Sequence, residues 1–314
     1  MIIAISGGTG FIGKKLALRH LALGDEVCVL SRGGSEKALF PKEITLYFGD
    51  LQNSKSLLPF VDGADVLYHC AGEIRNASCM HATHVEGTKN LIDAANGRIG
   101  RWVQLSSVGA YGQHRSGVIT ESTPLNPSGI YETTKAASDL LVESAGRDGM
   151  FSYTILRPSN VYGEDMRNKS LFSLIKMIKH ELFFYIGKDN ARANYIHVDN
   201  VVEAMFLCGK EPLTNGQIFN LSDSCSLEHF VTVIADALSV PVPRARMPEW
   251  IARCIAKSLG FVPRFPLTNA RIDALTIQSS YPIDKIMREL GYKQVVSMDN
   301  GLKEMVRAFQ KDKQ

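Results

Sequence analysis

Apolar and polar positions along this chain follow two periods. Residues 1–5 are an unbroken apolar run with β-branched members, and Ser6-Gly7-Gly8-Thr9-Gly10-Phe11-Ile12-Gly13 follows with no linker. Beyond Gly13 the residues Leu16, Leu18, Leu21 and Leu23 recur near helical spacing up to Gly24-Asp25, so a strand should break into a glycine-rich turn that opens a helix. Further strands are predicted at 26–31, 44–48, 65–69 and 102–105, each closed by small or polar residues, with helical patterns between them, clearest at 85–95. Strands at 152–156 and 217–221 complete the series. Alternating strands and helices require right-handed crossovers and a parallel sheet, hence a doubly wound α/β fold.

After Tyr162 the alternation fails. Helical patterns at 171–179, 227–238, 250–259, 283–290 and 301–309, joined by proline-rich connectors at 240–243 and 261–266, predict a smaller, mostly helical lobe. The expected division is a nucleotide-binding domain of residues 1–165 plus about 197–224, and a substrate lobe of about 166–196 and 225–314. A ligand belongs in the cleft between them, at the carboxyl ends of the strands.

Composition narrows the functional classes. The chain has 314 residues, 45% apolar and 21% charged, values of a globular protein with a large core. A net charge of +3 is too slight to argue for nucleic acid or an anionic membrane. The most apolar late segment, 250–262, is interrupted by Arg253 and Lys257 and is too short to span a bilayer. With the first strand at Met1 no signal peptide is expected, which implies the cytoplasm. The six cysteines form no C-x-x-C pair and no zinc spacing with histidine, so they read as reduced thiols, mostly core filler, and no metal is expected.

The glycine turn suits a dinucleotide. Gly7, Gly10 and Gly13 permit a tight turn and close backbone approach, while the helix beginning near Phe11 and Ile12 offers unpaired N–H groups to a pyrophosphate. Ser31-Arg32, at the end of the second strand, supplies a hydroxyl and a guanidinium for a 2′-phosphate where an acidic residue would favour the 2′-hydroxyl, so NADP is favoured over NAD. At the mouth of the third strand Asp50 can accept from an adenine amino group while Leu51 packs on the ring.

Ser107, Tyr131 and Lys135 carry the candidate chemistry. Tyr131 and Lys135 lie one turn apart on one helix face, and the fifth strand delivers Ser107 to the same end of the sheet. Alcohol oxidation needs a base; a phenol near its reference pKa of ~10 becomes one only where its anion is stabilised, which an ammonium one turn away favours.

With these segments in view the chain resembles the extended short-chain dehydrogenase/reductase family, which includes sugar-nucleotide epimerases, dehydratases, reductases and hydroxysteroid dehydrogenase-like members. The resemblance covers Gly7 to Gly13 with Thr9, Gly49-Asp50-Leu51, His69-Cys70-Ala71-Gly72, the Val85 to Leu91 segment, Ser106-Ser107, Tyr131 to Lys135, Leu156-Arg157-Pro158 with Asn160 to Gly163, and Tyr195 to Asp199. It implies that Ser107, Tyr131 and Lys135 act as a catalytic triad and that Ala71 and Gly72 line the cofactor. It also implies that Pro158 to Asn160 pass close to nicotinamide and substrate, and that Glu73 contacts substrate. A homodimer through helices near 83–95 and 131–145 is a further implication. Family dehydratases carry an Asp-Glu pair where this chain has Val108 and Gly109, so simple redox or 4-epimerisation at one carbinol carbon remains. His84 stands where relatives usually have asparagine, and braces or caps its helix.

The expected substrate is a nucleotide sugar, with Asn160 beside the diphosphate and Arg192 or Arg271 as phosphate clamp. Arg192 qualifies only if its segment is a loop, because Ala193 takes the usual arginine position. The runner-up is a hydroxysteroid-like apolar ketone in a cleft walled by Trp250 and Phe172. A rival of another class is a sensor that binds NADP without catalysis.

Overall fold

The structure, a computed structural model, describes residues 1–33, 39–166, 170–259 and 267–311. The opening apolar run forms β1 (Ile2–Ser6), buried along nearly its whole length, and α1 (Phe11–Leu21) follows the glycine turn. Then come β2 (Glu26–Ser31), β3 (Thr45–Phe48), the short α2 (Leu58–Val61), β4 (Val66–His69) and α3 (Ala77–His81). A π-helical turn, Ala82–Glu86, joins α3 to α4 (Gly87–Ala95). The nucleotide half continues with β5 (Arg101–Leu105), α5 (Ile130–Arg147) and β6 (Ser152–Pro158).

Beyond it lie β7 (Asn160–Tyr162), α6 (Ser170–Lys179), β8 (Tyr185–Ile186), β9 (Arg192–His197), α7 (Val198–Lys210), β10 (Gln217–Leu221), β11 (Asp223–Ser226), α8 (Leu227–Leu238) and β12 (Arg246–Met247). The chain closes with α9 (Glu249–Leu259), α10 (Asn269–Thr276), α11 (Asp284–Leu290) and α12 (Met298–Lys311).

Seven parallel strands form the central sheet in the order β10-β6-β5-β4-β1-β2-β3. Strand order reverses between β1 and β4, the switch point where a Rossmann-type sheet opens a crevice at its carboxyl edge. Both faces are covered. Val27, Val29, Leu16, Val103 and Val201 belong to one core, and Leu67, Leu91, Trp102, Val142 and Ile155 to the other, as near-continuous apolar strands require.

A separate core gathers α6, α8 and α12 through Phe172, Ile175, Phe230, Ile234, Leu302 and Met305. The expected lobe boundary needs one correction: Ile286, Leu290 and Tyr292 pack into a core of the central sheet, so α11 belongs structurally with β10. Two small sheets, β11-β9-β7 and β12-β8, and helix α7 were absent from the expected elements. Strands of two or three residues such as β7, β8 and β12 carry too little period to register, whereas α7 does carry helical spacing, with Val198, Val201, Val202, Met205 and Cys208 on its buried face. The connector at 261–266 lies outside the described residues. No helix among the described residues is long and apolar enough to cross a membrane.

Candidate active site

The site begins at the turn after β1. Gly7 has φ +68, and a Cβ on it would lie 2.5 Å from the amide nitrogen of Ala71. A Cβ on Gly13 would press into Gly7 and lie 2.8 Å from the Gly8 Cα. The turn thus lies directly against the end of β4, and α1 against the turn, both closer than side chains allow. Gly10 caps α1 without a side-chain hydrogen bond, so the first N–H groups of the helix face outward as an anion cradle, with Thr9, Phe11 and Ile12 half-buried around it. These residues fit a dinucleotide pyrophosphate.

The neighbouring strand ends vary in readiness. Ser31 is buried with its hydroxyl on the Gly33 carbonyl at 2.9 Å, and Arg32 is exposed beside it. Asp50 accepts the Gln52 N–H at 2.9 Å, an Asx turn that orients the carboxylate at the mouth of β3. Leu51 is buried under α4, and a Cβ on Gly87 would lie 2.9 Å from its own Cβ. Ala71 is half-buried and Gly72 exposed at the end of β4, while Pro158 is buried at the end of β6.

Ser107, Tyr131 and Lys135 converge. The Ser107 Oγ accepts the Gly109 N–H at 3.1 Å, which caps a 3-10 turn and leaves its hydrogen free for the Tyr131 phenol that it bonds. Burial pushes that phenol up to about 12; the Ser107 hydrogen bond works downward, and Glu132 and Asp139 add upward pressure. The Lys135 ammonium donates to the Leu105 carbonyl at 2.5 Å. Burial is the largest influence on the phenol in the protein alone, and the protonated form prevails near neutrality. Lys135 itself is pulled down by burial and held up by Asp139 and Cys70.

Behind the three residues the polar groups interlock. Asp139 Oδ2 accepts from Ser106 Oγ at 2.7 Å and from Arg157 Nε and Nη2 at 3.1 and 3.0 Å, all of them buried. The Arg157 guanidinium lies 4.9 Å from the centre of the Tyr111 ring. This ion pair fixes the Ser106-Ser107 end of β5 against α5. A second chain runs from Ser6 through His69 and Thr88 to Ser138 and Gln104, with links of 2.5 to 3.0 Å. Sequence reasoning passed over Asp139, although its spacing of four after Lys135 continues the stripe.

His84 does brace its surroundings. It is 1% exposed, accepts the Glu73 N–H at 2.8 Å and contacts Thr134 Oγ1 at 2.8 Å. The Glu73 carboxylate turns onto its own loop, accepting from the Arg75 and Asn76 N–H groups at 2.7 and 3.1 Å.

The expected substrate clamps are scattered. Arg192 begins β9, paired opposite Ser226, and its Nε and Nη2 bind Ser224 Oγ and O at 3.0 and 3.2 Å. The loop on which its phosphate role depended does not exist, a correction that follows from strand pairing. Arg271 is exposed on α10. Asn160 is exposed at the start of β7 and donates to the Asn194 carbonyl at 3.1 Å. Phe172 packs inside the second core, and Trp250 stands 69% exposed on α9.

Known proteins resemble this arrangement along the whole chain. A ketoreductase of Stigmatella aurantiaca, described as acting on 4-hydroxy-2-methyl-3-oxo-4-farnesyl-3,4-dihydroquinoline-1-oxide, is 28% identical, with 95% of this chain and 93% of that protein covered. The 3beta-hydroxysteroid-dehydrogenase/decarboxylase isoform 1 of Arabidopsis thaliana is 25% identical, with 97% and 79% covered. The UDP-glucose 4-epimerase of Thermotoga maritima, solved with UDP-glucose, superposes with a TM-score of 0.77 at 19% identity over 100% of both chains, a likeness of fold. The family model for NAD dependent epimerase/dehydratase proteins matches residues 3–222, and with the glycine cradle and Rossmann sheet already described, this chain belongs to that NAD(P)-dependent enzyme family.

Proposed function

We propose that this enzyme is an NADP-preferring ketoreductase of a ring-borne ketone on a largely apolar substrate. The observation that carries the reading is the meeting of the half-buried Tyr131 phenol, in the first turn of α5, with the Ser107 hydroxyl at the carboxyl edge of the sheet. Such a group is a proton donor to a carbonyl oxygen, the reductive sense of the chemistry. A dinucleotide held by the glycine cradle would supply the hydride. Tyr131 delivers its proton to the oxygen as negative charge develops there, and Ser107 turns its O–H to the same oxygen and holds it in line. Lys135, held by the Leu105 carbonyl, places a buried positive charge behind the phenol and keeps N–H capacity for a ribose hydroxyl.

Gly7, Gly10 and Gly13, with the start of α1, would hold the pyrophosphate, Asp50 and Leu51 the adenine, Ser31 and Arg32 the 2′-phosphate, and Ala71, Gly72, Pro158 and Asn160 the nicotinamide side. An apolar substrate is supported by the commitment of Arg192 to Ser224 and by the ketone and steroid substrates in the names of the relatives. The second reading, reduction or 4-epimerisation of a nucleotide sugar, is supported by Asn160 and Arg271, both exposed. Pairing of two chains through α4 and α5, where Leu140 is 53% exposed, would give a homodimer, readable from light scattering.

Purified protein with NADPH or NADH and a panel of prenylated quinolone ketones, 3-ketosteroids and UDP- or dTDP-sugars decides between these readings. Consumption of NADPH with the apolar ketones is expected. Conversion of a nucleotide sugar without net cofactor consumption would replace this reading with the second.

A further inference from the structure

We propose that His84 is a positioning residue: one neutral imidazole that ties the loop at residues 72–76 to the first turn of α5, and so sets where the substrate-side loop lies over Tyr131. The inference rests on the ketoreductase reading for what the tie accomplishes, and on geometry alone for the tie itself.

A backbone N–H can only donate, so the Glu73 amide at 2.8 Å requires an unprotonated Nε2. The ring hydrogen is then on Nδ1 and is donated to Thr134 Oγ1 at 2.8 Å. The Thr134 hydroxyl passes its own hydrogen to the carbonyl of Ile130 or Tyr131, at 2.8 and 3.0 Å. The chain of donors has a single direction, from the Glu73 amide to the backbone that carries the phenol. The imidazole also meets the Tyr131 ring edge-on, centroids 5.6 Å apart at 82°. Burial holds His84 neutral, down to about 4, which keeps that direction fixed; protonation would set an Nε2–H against the Glu73 N–H.

The other end of the tie is a compact unit. The Glu73 carboxylate closes residues 73–76 on themselves, and Asn76 caps α3 by accepting the Ser78 N–H at 3.2 Å. Gly72 leads into it from the end of β4, and a Cβ there would lie 3.5 Å from His84 Nε2. The π turn supplies the radial reach: it sets His84 inward between this unit and α5, where it touches both.

The two nitrogens can be tested apart, because asparagine reproduces the Nδ1 donor and glutamine the Nε2 acceptor. His84→Asn keeps the α5 link and loses the loop link, so KM for the ketone should rise about 10-fold with kcat within about 3-fold of wild type. His84→Gln keeps the loop link and loses the donation to Thr134, so kcat should fall about 10-fold with KM within about 3-fold. Thr134→Val, which leaves His84 in place, should behave as His84→Gln and serves if a His84 variant fails to fold. Amide hydrogen exchange at Glu73 should quicken in His84→Asn and stay slow in His84→Gln and Thr134→Val. Parallel losses in KM and kcat in both His84 variants, or unchanged exchange at Glu73 in His84→Asn, would overturn the proposal. If the wild type turns over no ketone or nucleotide sugar, the ketoreductase reading falls while the exchange measurement still decides the tie.

Discussion

Two tyrosines stand beside a histidine in this fold, one fully buried and one half-buried, and the less functional-looking one is the candidate acid. Tyr68, on β4, contacts His20 Nε2 at 3.0 Å, and His20 Nδ1 contacts Asp25 at 2.7 Å, a hydroxyl, imidazole and carboxylate in series. Tyr131 has no such series; its partners are the Ser107 hydroxyl and the edge of His84. The difference lies in what surrounds them. Tyr68 is fully buried, its hydroxyl packed against the backbone of Gly209, where a Cβ would collide with it, and the cavity it borders is lined by His20, Asp25 and Phe206, away from the glycine cradle. It lies at the carboxyl end of α1, where the helix favours cations, and Tyr131 lies in the first turn of α5, where developing negative charge is favoured. Access, helix polarity and a neighbouring anion cradle make the site; a row of hydrogen bonds does not.

Tyr131→Phe is the strongest way to break that contrast. It should lower ketone reduction by about 10²–10⁴-fold while cofactor affinity, read by fluorescence titration, stays within about 3-fold. A variant that retains turnover removes Tyr131 from the chemistry. Next, Gly13→Ala presses a methyl group into Gly7 and Gly8, and overpacking of about 1–3 kcal/mol should weaken dinucleotide binding about 10–100-fold by calorimetry.

Acid acts through the buried imidazoles. His84 and His69 are lowered from 6.5 to about 4 and about 3, so between those values and 6.5 the unfolded chain binds more protons than the folded one. Their contribution is whole above 6.5 and is lost as pH falls through that window. Urea unfolding at about pH 7 and about pH 5 should show the drop, and His69→Gln should flatten its slope. Tyr68→Phe deprives His20 of its hydroxyl partner, and should cost about 1–3 kcal/mol of stability with no change in kcat. Smallest of all, Arg192→Ala should leave KM for an apolar ketone within about 2-fold, its guanidinium being occupied by Ser224. A large rise in KM for a nucleotide sugar would instead favour the second reading.

The sheet was legible in the sequence because each of its strands is an apolar run ended by small or polar residues, and the glycine turn was legible because strand, spacing and helix coincide. Ser107, Tyr131 and Lys135 could be grouped because fold class dictates which strand end and helix start meet. What was not legible depends on pairing across long separations. Arg192 looked available until β11 claimed it, and Ile286 and Leu290 looked like lobe residues until α11 packed against β10. Asp139 was overlooked because a carboxylate inside a helix reads as surface until Arg157, from β6, is found against it.

The π turn at Ala82–Glu86 makes chain length a variable in its own right. A wide turn accommodates one residue beyond regular winding while the flanking helices stay in phase. A homologue one residue shorter at this point can keep α3, α4 and every side chain of the phenol pocket, yet lose the bulge from which His84 reaches both neighbours. Loss of one residue from this turn would then release the mouth of the cleft as a replacement of His84 does, with every other side chain of the pocket retained.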